Sequence, residues 1–314
     1  MYSGPMTTAG SGLHDKTVVI TGSTDGVGKL VARRLAEAGA HVLLHGRSAE
    51  RGARALDEIR QATGNQHLEY FLGDLASLDE VRRLAAAILQ KHSRIDILIN
   101  NAGIGGGPRG RAVREVSRDG VELRFAVNYL APFLLTQLLL PTIISSAPAR
   151  IVNVSSIEQY PIDFDNVMLE RDYDGFRAYQ QSKLAQIMFT IDLAARLKTQ
   201  QIDVTSNALH PSSLMPTKMV REAFGNQTMS TLEDGADAIM FVATSPELAE
   251  TTGAYFDRTR RVRAEDQAYD AEARRRLWDL SMRLTQQGQE QGQKQGQQQE
   301  PNDGVRAGRA DSGR

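Results

Sequence analysis

Tyr179 and Lys183, in Tyr179-Gln180-Gln181-Ser182-Lys183, lie four residues apart in a stretch with helical patterning, which puts both side chains on one helix face. A phenol left to itself has a pKa of about 10, and a neighbouring ammonium that stabilises the phenolate makes proton exchange near neutrality easier. The pair alone also fits an exposed helix face. Upstream, Ile151-Val152-Asn153-Val154-Ser155-Ser156 reads as a strand ending in two hydroxyls at the carboxyl edge of a sheet. A phenol, an ammonium and a hydroxyl gathered there could polarise a carbonyl and exchange a proton with its oxygen.

A second group of residues could hold a phosphorylated ligand. Thr21-Gly22-Ser23-Thr24-Asp25-Gly26-Val27-Gly28 follows an apolar run directly and opens a helical pattern. Between a strand and a helix, such glycines permit a tight turn, let backbone approach a pyrophosphate and aim the helix N-terminus at its charge. They would also serve simply to shape a turn. At the end of the second apolar run, Gly46 stands where an acidic residue would bind the ribose hydroxyls of NAD, and Arg47 follows. A guanidinium in place of a carboxylate favours the 2′-phosphate of NADP; Arg47 also fits an exposed loop. Asp74 after the third run and Asn100-Asn101-Ala102-Gly103 at the end of the fourth occupy strand ends, where open parallel sheets bind ligands. Asp74 fits a helix N-cap equally well.

These residues need a scaffold, and the chain alternates short aliphatic runs with longer helical patterns from Lys16 to Phe256, the sequence form of βαβ units. Strands are expected at 17–21, 41–45, 67–72, 95–100, 150–155, 203–209 and 254–256. Several are apolar without alternation, as strands covered on both faces should be. Seven parallel strands in one doubly wound α/β sheet, with helices on both faces, leave no room for a second domain. Residues 1–14 read as a flexible leader, 15–285 as the domain, and 286–314, rich in Gln and Gly, as a disordered tail. Long helices are expected at 121–140 and 176–197, and the apolar run Leu134 to Ile144 is read as too short to cross a bilayer.

Of 314 residues 41% are hydrophobic and 24% charged, and 37 basic against 38 acidic side chains leave a net charge of −1. That is an ordinary globular composition without the basic surface of a general nucleic-acid binder. The run Arg258, Arg260, Arg261, Arg263 reads as a solvated face. With no cysteine there is no disulfide framework and no thiolate nucleophile or ligand. The six histidines are scattered, His41 and His45 read as ordinary sheet residues, and no metal site is expected. A hydrolase or metalloenzyme finds neither a Gly-x-Ser-x-Gly elbow nor a His-Glu-x-x-His pair.

Taken in order, the glycine turn, Asp74, Asn100–Gly103, the strand-end serines, Tyr179 and Lys183 resemble the short-chain dehydrogenase/reductase family. The resemblance covers most of the chain from Lys16 to Leu209. It implies a Rossmann-type oxidoreductase in which Asn128, Ser156, Tyr179 and Lys183 are catalytic: Ser156 polarises the substrate carbonyl, Tyr179 exchanges the proton, and Asn128 carries a water-bearing relay. It implies NADP(H) on Gly22, Ser23, Thr24, Gly26, Val27, Gly28, Arg47, Asp74, Leu75, Asn101, Ala102, Gly103, Tyr179, Lys183, Pro211 and Thr217.

Two departures stand out. Ser156 and Tyr179 are 23 residues apart, wider than in many relatives, so the segment from Ile157 to Gly175 reads as an insertion beside the site, as in the retinol dehydrogenase and carbonyl reductase-like branch. In His210-Pro211-Ser212-Ser213-Leu214-Met215-Pro216-Thr217, Ser212 replaces a usual glycine and one extra residue precedes Thr217. Pocket walls are expected from 104–109, 157–164 and 214–224, with Ile157, Tyr160, Ile162, Phe164, Leu214, Met215 and Met219 suiting a lipophilic ketone, aldehyde or alcohol. A non-catalytic NADP-binding regulator is the competing reading; it would be expected to lack the tyrosine or lysine. The further expectations are a soluble, cytoplasmic protein without nucleic acid or a membrane span, and a homodimer or homotetramer paired through the long helices.

Overall fold

In the computed structural model, residues 12–107 and 113–298 are described, with the backbone alone for 287–298. The expected leader, 1–14, lies outside these residues up to position 11, and Leu13 is already docked, its N–H donating to the Ala38 carbonyl. β1 (Thr17–Ile20), α1 (Gly26–Glu37), β2 (His41–Gly46), α2 (Ala49–Thr63), β3 (Leu68–Leu72), α3 (Leu78–Lys91) and β4 (Ile97–Asn100) form the first half. The second half holds α4 (Leu123–Phe125), a π-helical turn (Ala126–Leu130), α5 (Ala131–Ser145), β5 (Ala149–Val154), α6 (Gly175–Thr199) and β6 (Val204–His210). After it come α7 (Lys218–Phe224), α8 (Leu232–Thr244), β7 (Tyr255–Asp257), β8 (Arg260–Val262) and α9 (Ala271–Gln298).

The sheet has the order β3-β2-β1-β4-β5-β6-β7-β8, so the chain reverses its direction of travel between β1 and β4. The seven expected strands are all present and pair in parallel. The count is corrected to eight, because Arg260–Val262 pairs antiparallel to β7. The arginine run read only as a solvated face is therefore partly a strand. Its apolar signal is missing because charged side chains on an edge strand oppose pairing with another chain.

Alternating side chains divide the core in two. Val18, Ile20, Val42 and Leu44 pack with α1, α2 and α8, whereas Val19, Leu43, Phe71 and Leu98 pack with α3, α5, α6 and α9. Helix starts are fixed locally by side-chain caps, Asp25 on α1, Ser48 on α2, Ser77 on α3 and Asp174 on α6.

The helix expected at 121–140 runs from Leu123 to Ser145, 23 residues, with the π-turn inside it. By length and composition it could span a membrane, which corrects the view that this apolar run is too short. Two thirds of its apolar window is buried within the fold, against α3 and α6, so its apolarity is spent on the core. The helix expected at 176–197 spans Gly175–Thr199. α9 is helical through Gln298, past the start of the segment expected to be disordered, and 299–314 lie outside the described residues.

Candidate active site

The turn between β1 and α1 is built by exclusion of side chains. Gly22 has φ +66°, and a Cβ on Gly28 would lie 2.3 Å from the Gly22 carbonyl oxygen and 2.4 Å from Asn101 Nδ2. Asn101 Nδ2 donates to the carbonyls of Thr21 (2.9 Å) and Gly22 (3.2 Å), while the N–H groups of Asn101 and Ala102 both donate to Thr21 Oγ1 at 3.0 Å. Asn101 and Ala102 thus lock β4 to the turn. Ser23 is fully buried, its Oγ donating to the Ile20 carbonyl and accepting from the His45 N–H. It can offer only backbone to a ligand. Thr24 stands against Gly46, and Val27 is buried beside Gly235. Thr217, N-cap of α7, places its methyl 3.7 Å from where a Gly26 Cβ would be, so it overhangs the N-terminus of α1; Pro211 is buried at the end of β6.

Sequence reasoning missed the support beneath this turn. His45 accepts from the Gly22 N–H at Nδ1 (3.3 Å), and its Nε2 lies 3.1 Å from the Gly73 carbonyl. Burial pushes its pKa down to about 4, so it is a neutral bridge between two strand-end loops. Asp25 caps α1 and pairs with Arg51 at 2.9 Å. Arg47 is exposed and makes no hydrogen bond or ion pair among the described residues, and no carboxylate replaces Gly46 at the end of β2. Asp74 accepts from the Ala76 N–H at Oδ1 (3.0 Å), while its own N–H donates to Glu80; the cap of α3 is Ser77, not Asp74. Leu75 is buried behind it. A cradle too tight for a Cβ, a helix N-terminus facing it and an unpaired guanidinium at its rim fit a dinucleotide phosphate.

At the reacting end β5 delivers both serines, but to different tasks. Ser155 Oγ donates to the Lys183 carbonyl at 2.7 Å and ties the strand to α6. Ser156 Oγ, two residues past β5, accepts from the Glu158 N–H (3.1 Å) and stands close enough to the Tyr179 phenol to pull its pKa back, and its carbonyl accepts from the Tyr255 hydroxyl at 2.8 Å. Lys183 Nζ lies 5.8 Å from the Tyr179 ring centre and donates to the Val154 carbonyl (2.9 Å) and to Gln186 Oε1 (3.0 Å). Gln186, three residues on and on the same helix face, was not foreseen.

Asn128 sits in the π-turn. Its Oδ1 accepts from the Ile104 N–H (2.8 Å), and its Nδ2 donates to the Ile104 carbonyl (3.0 Å) and to Ser182 Oγ (3.0 Å), which donates to the Tyr179 carbonyl at 2.7 Å. Gly103 joins the two ends of the site: a Cβ there would stand 3.3 Å from Asn128 Oδ1 and 3.4 Å from Lys183 Nζ.

The electrostatics depart from the expectation of a phenol acidified by its lysine. Burial pushes the Tyr179 pKa up, with the Ser156 hydrogen bond pulling back, and no contribution comes from Lys183, whose ammonium points to Val154 and Gln186 instead. Burial pulls Lys183 itself down to about 7. The lysine is thus poised near neutrality while the tyrosine stays a phenol.

The expected pocket wall separates into two groups. Ile162 is buried and Phe164 packs against the core, Met215 is buried against Gly235, and Ile157, Tyr160, Leu214 and Met219 stay at least partly exposed, Met219 lying over Gly105. Positions 108–112, including Arg109, lie outside the described residues. The segment from Ile157 to Gly175 is anchored: the Ile162 N–H donates to Gln267 Oε1, Gln267 Nε2 donates back to the Ile162 carbonyl, and Gln181 Nε2 donates to the Val167 carbonyl. Beside it, Ile157, Gln159, Tyr255, Arg260 and Arg263 help to line a cavity of about 420 Å³.

The family model described as short chain dehydrogenase matches residues 16–228, which hold the cradle and the tyrosine–lysine pair. The chain belongs to the short chain dehydrogenases. Within that family it is 39% identical over 286 residues to retinol dehydrogenase 13 of Homo sapiens, covering 86% of this chain and 84% of the relative, and 37% identical to human retinol dehydrogenase 14. It therefore falls in the retinol dehydrogenase-like branch. Among solved structures, a protein from Mycobacterium paratuberculosis superposes with a TM-score of 0.72 at 30% identity, over 88% of this chain and 96% of that one. A short chain dehydrogenase from Shigella flexneri complexed with NADP gives 0.65 at 26% identity, over 80% and 99%. This short chain dehydrogenase is accordingly an oxidoreductase of alcohols or carbonyls whose family uses a nicotinamide cofactor.

Proposed function

We propose that this short chain dehydrogenase transfers a hydride between NADP(H) and a lipophilic ketone, aldehyde or alcohol, with Tyr179 as the proton donor or acceptor. The observation that carries the reading is the meeting of Tyr179 and Ser156 beside a buried ammonium, one residue layer from the glycine cradle. The bound nicotinamide supplies the hydride or takes it up. Ser156 and Tyr179 hold the substrate oxygen from two sides and fix the carbon toward the cofactor face. In reduction Tyr179 gives its hydroxyl proton to that oxygen, and in oxidation it accepts one.

Lys183 Nζ lies 5.8 Å from the Tyr179 ring centre, and with its pKa pulled down to about 7 it can take up or release a proton near neutrality, where the tyrosine stays a phenol. Asn128 holds Ile104 and Ser182, and through Ser182 the backbone of Tyr179, so it fixes the loop and the helix turn on which the pair depends. Arg47, exposed and without a partner among the described residues at the end of β2, is the group that selects the 2′-phosphate, and the NADP complex of the structural relative supports this choice. Names of the retinol dehydrogenase relatives, with Ile157, Tyr160, Leu214 and Met219 at least partly exposed, support a lipophilic substrate.

The test is NADPH consumption across a panel of retinoid, aliphatic and aromatic carbonyls, with Tyr179→Phe as control. That variant should lose at least about 100-fold in kcat while binding NADPH with unchanged affinity by fluorescence. Turnover within a few-fold of the parent would remove Tyr179 from the chemistry.

A further inference from the structure

The edge of the sheet opposite the active site carries a cluster that the reaction does not use. His41 opens β2 and points to the same face as Leu43, because side chains alternate along a strand. The parallel register sets Leu43 against Glu69 of β3, so Glu69 stands beside His41 on that face. His92, at the C-cap of α3, completes the group from above. Five residue steps along β2 carry the chain from His41 to the cofactor edge at Gly46, about 16 Å of strand.

The three side chains converge on one point. His41 Nε2 is 3.4 Å and His92 Nε2 3.1 Å from the same oxygen, Glu69 Oε1. One donor atom from each residue lies within 4.8 Å of the others, and the two imidazoles meet edge to face at 4.9 Å. His92 Nε2 is buried, and among the described residues its contact is Glu69 Oε1, whose geometry falls short of an aligned hydrogen bond. A buried ring nitrogen with so poor a hydrogen bond keeps part of its desolvation cost. Two ligand atoms about 2.0–2.1 Å from a tetrahedral zinc are separated by roughly 3.3 Å, which is the spacing of both imidazole nitrogens from Glu69 Oε1.

We propose that His41, Glu69 and His92 bind a divalent transition-metal ion, with zinc the best match to two imidazoles and one carboxylate. The ion occupies the space between Glu69 Oε1 and the two Nε2 atoms, and water completes the coordination on the open side. Lys91 is no obstacle: its Nζ pairs with the other oxygen, Oε2, at 3.0 Å, and its side chain is 61% exposed and free to swing away. The site is structural, because it ties β2, β3 and the end of α3 together at the sheet edge remote from Tyr179.

The proposal is tested on the untagged full chain, stripped with a chelator and titrated with zinc chloride at neutral pH against a chromophoric competitor. One equivalent should bind saturably and raise the Tm of the stripped protein. His41→Ala and His92→Ala should each lose that equivalent and the Tm rise, and Glu69→Gln should weaken binding at least about tenfold. Melting of each stripped variant, with His92→Gln as a milder change, separates loss of a ligand from loss of the fold. No saturable binding by the folded parent, or equal zinc affinity in a folded His41→Ala/His92→Ala double variant, overturns the assignment.

Discussion

Lys183 carries its charge where burial disfavours charge. Two acceptors, the Val154 carbonyl and Gln186 Oε1, reach its ammonium, yet desolvation prevails and brings its pKa from the ordinary 10.5 to about 7. The sign of the consequence for stability follows from proton counting. Between about pH 7 and 10 the unfolded chain holds a proton on this lysine that the folded chain has released, so stability rises as pH rises through that window. Below it both states are protonated, and the full penalty of the buried cation is present. Lys183→Met should therefore raise the Tm at neutral pH, by the equivalent of about 2–4 kcal/mol, and flatten the rise toward alkaline pH even as it abolishes turnover. Thermal melts of both proteins at several pH values decide this; a Tm that falls at neutral pH would falsify it.

Gln186 acts through Lys183. Gln186→Leu leaves the ammonium one acceptor, which lowers its pKa further. The alkaline limb of kcat in the reductive direction should move down by about one pH unit, since a hydrogen bond to a charged group is worth about 1.5–3 kcal/mol. A structural role alone would lower kcat evenly at all pH values. Gln186 was not legible in the sequence, because a glutamine on a helix gives no sign of whether it faces water or a buried cation. Tyr179 and Lys183 were legible because their spacing falls beside a strand end with two serines, whereas the choice of Ser156 over Ser155 came from the family resemblance. The direction of the tyrosine shift was not legible, since it depends on where the lysine nitrogen points.

Among the elements, the strand–turn–helix unit from β1 to α1 has the least tolerance. Gly28→Ala would drive a methyl into the Gly22 carbonyl and the Asn101 amide, both backbone-anchored, so turn and β4 loop must separate. We expect a loss of about 1–3 kcal/mol of stability and at least a tenfold rise in the Kd for NADPH, measured by melting and by fluorescence titration. Unchanged NADPH affinity would mean that the cradle is not the phosphate site. This unit could be read from sequence because each glycine falls at a fixed place between strand and helix. The π-turn over Ala126–Leu130 could not: Asn128 betrays itself only as a polar residue among apolar ones, and the extra backbone residue per turn has no compositional mark. β8 escaped for the opposite reason to the seven strands, whose aliphatic runs announce burial. Three edge residues rich in arginine announce only solvent.

The whole molecule is closed by α9, which lies across α3 and α6. Trp278 packs edge to face on Phe133 at 5.2 Å and is stacked by Arg196 at 3.7 Å, while Ser281 Oγ lies 2.6 Å from the Tyr129 hydroxyl and Arg82 bonds to the Thr285 carbonyl. Ala273, Leu277, Ser281 and Thr285 are buried along one face at helical spacing. This helix covers parts of α3 and α6, and α6 is one of the two helices read from sequence as pairing surfaces, so an assembly must use what α9 leaves free. It also gives the proposed domain boundary a measurable meaning. A chain ending at Gln286 retains every one of these contacts, and its Tm and turnover should match those of the full chain. A chain ending at Asp270 loses them and exposes Phe133, Phe189 and Tyr129. Removing a buried aromatic alone costs about 3–5 kcal/mol, so this second chain should be destabilised by at least that and bind a hydrophobic dye at room temperature. Melting curves of the two truncations locate the end of the cooperative unit. Equal stability of both would show that α9 is not part of it.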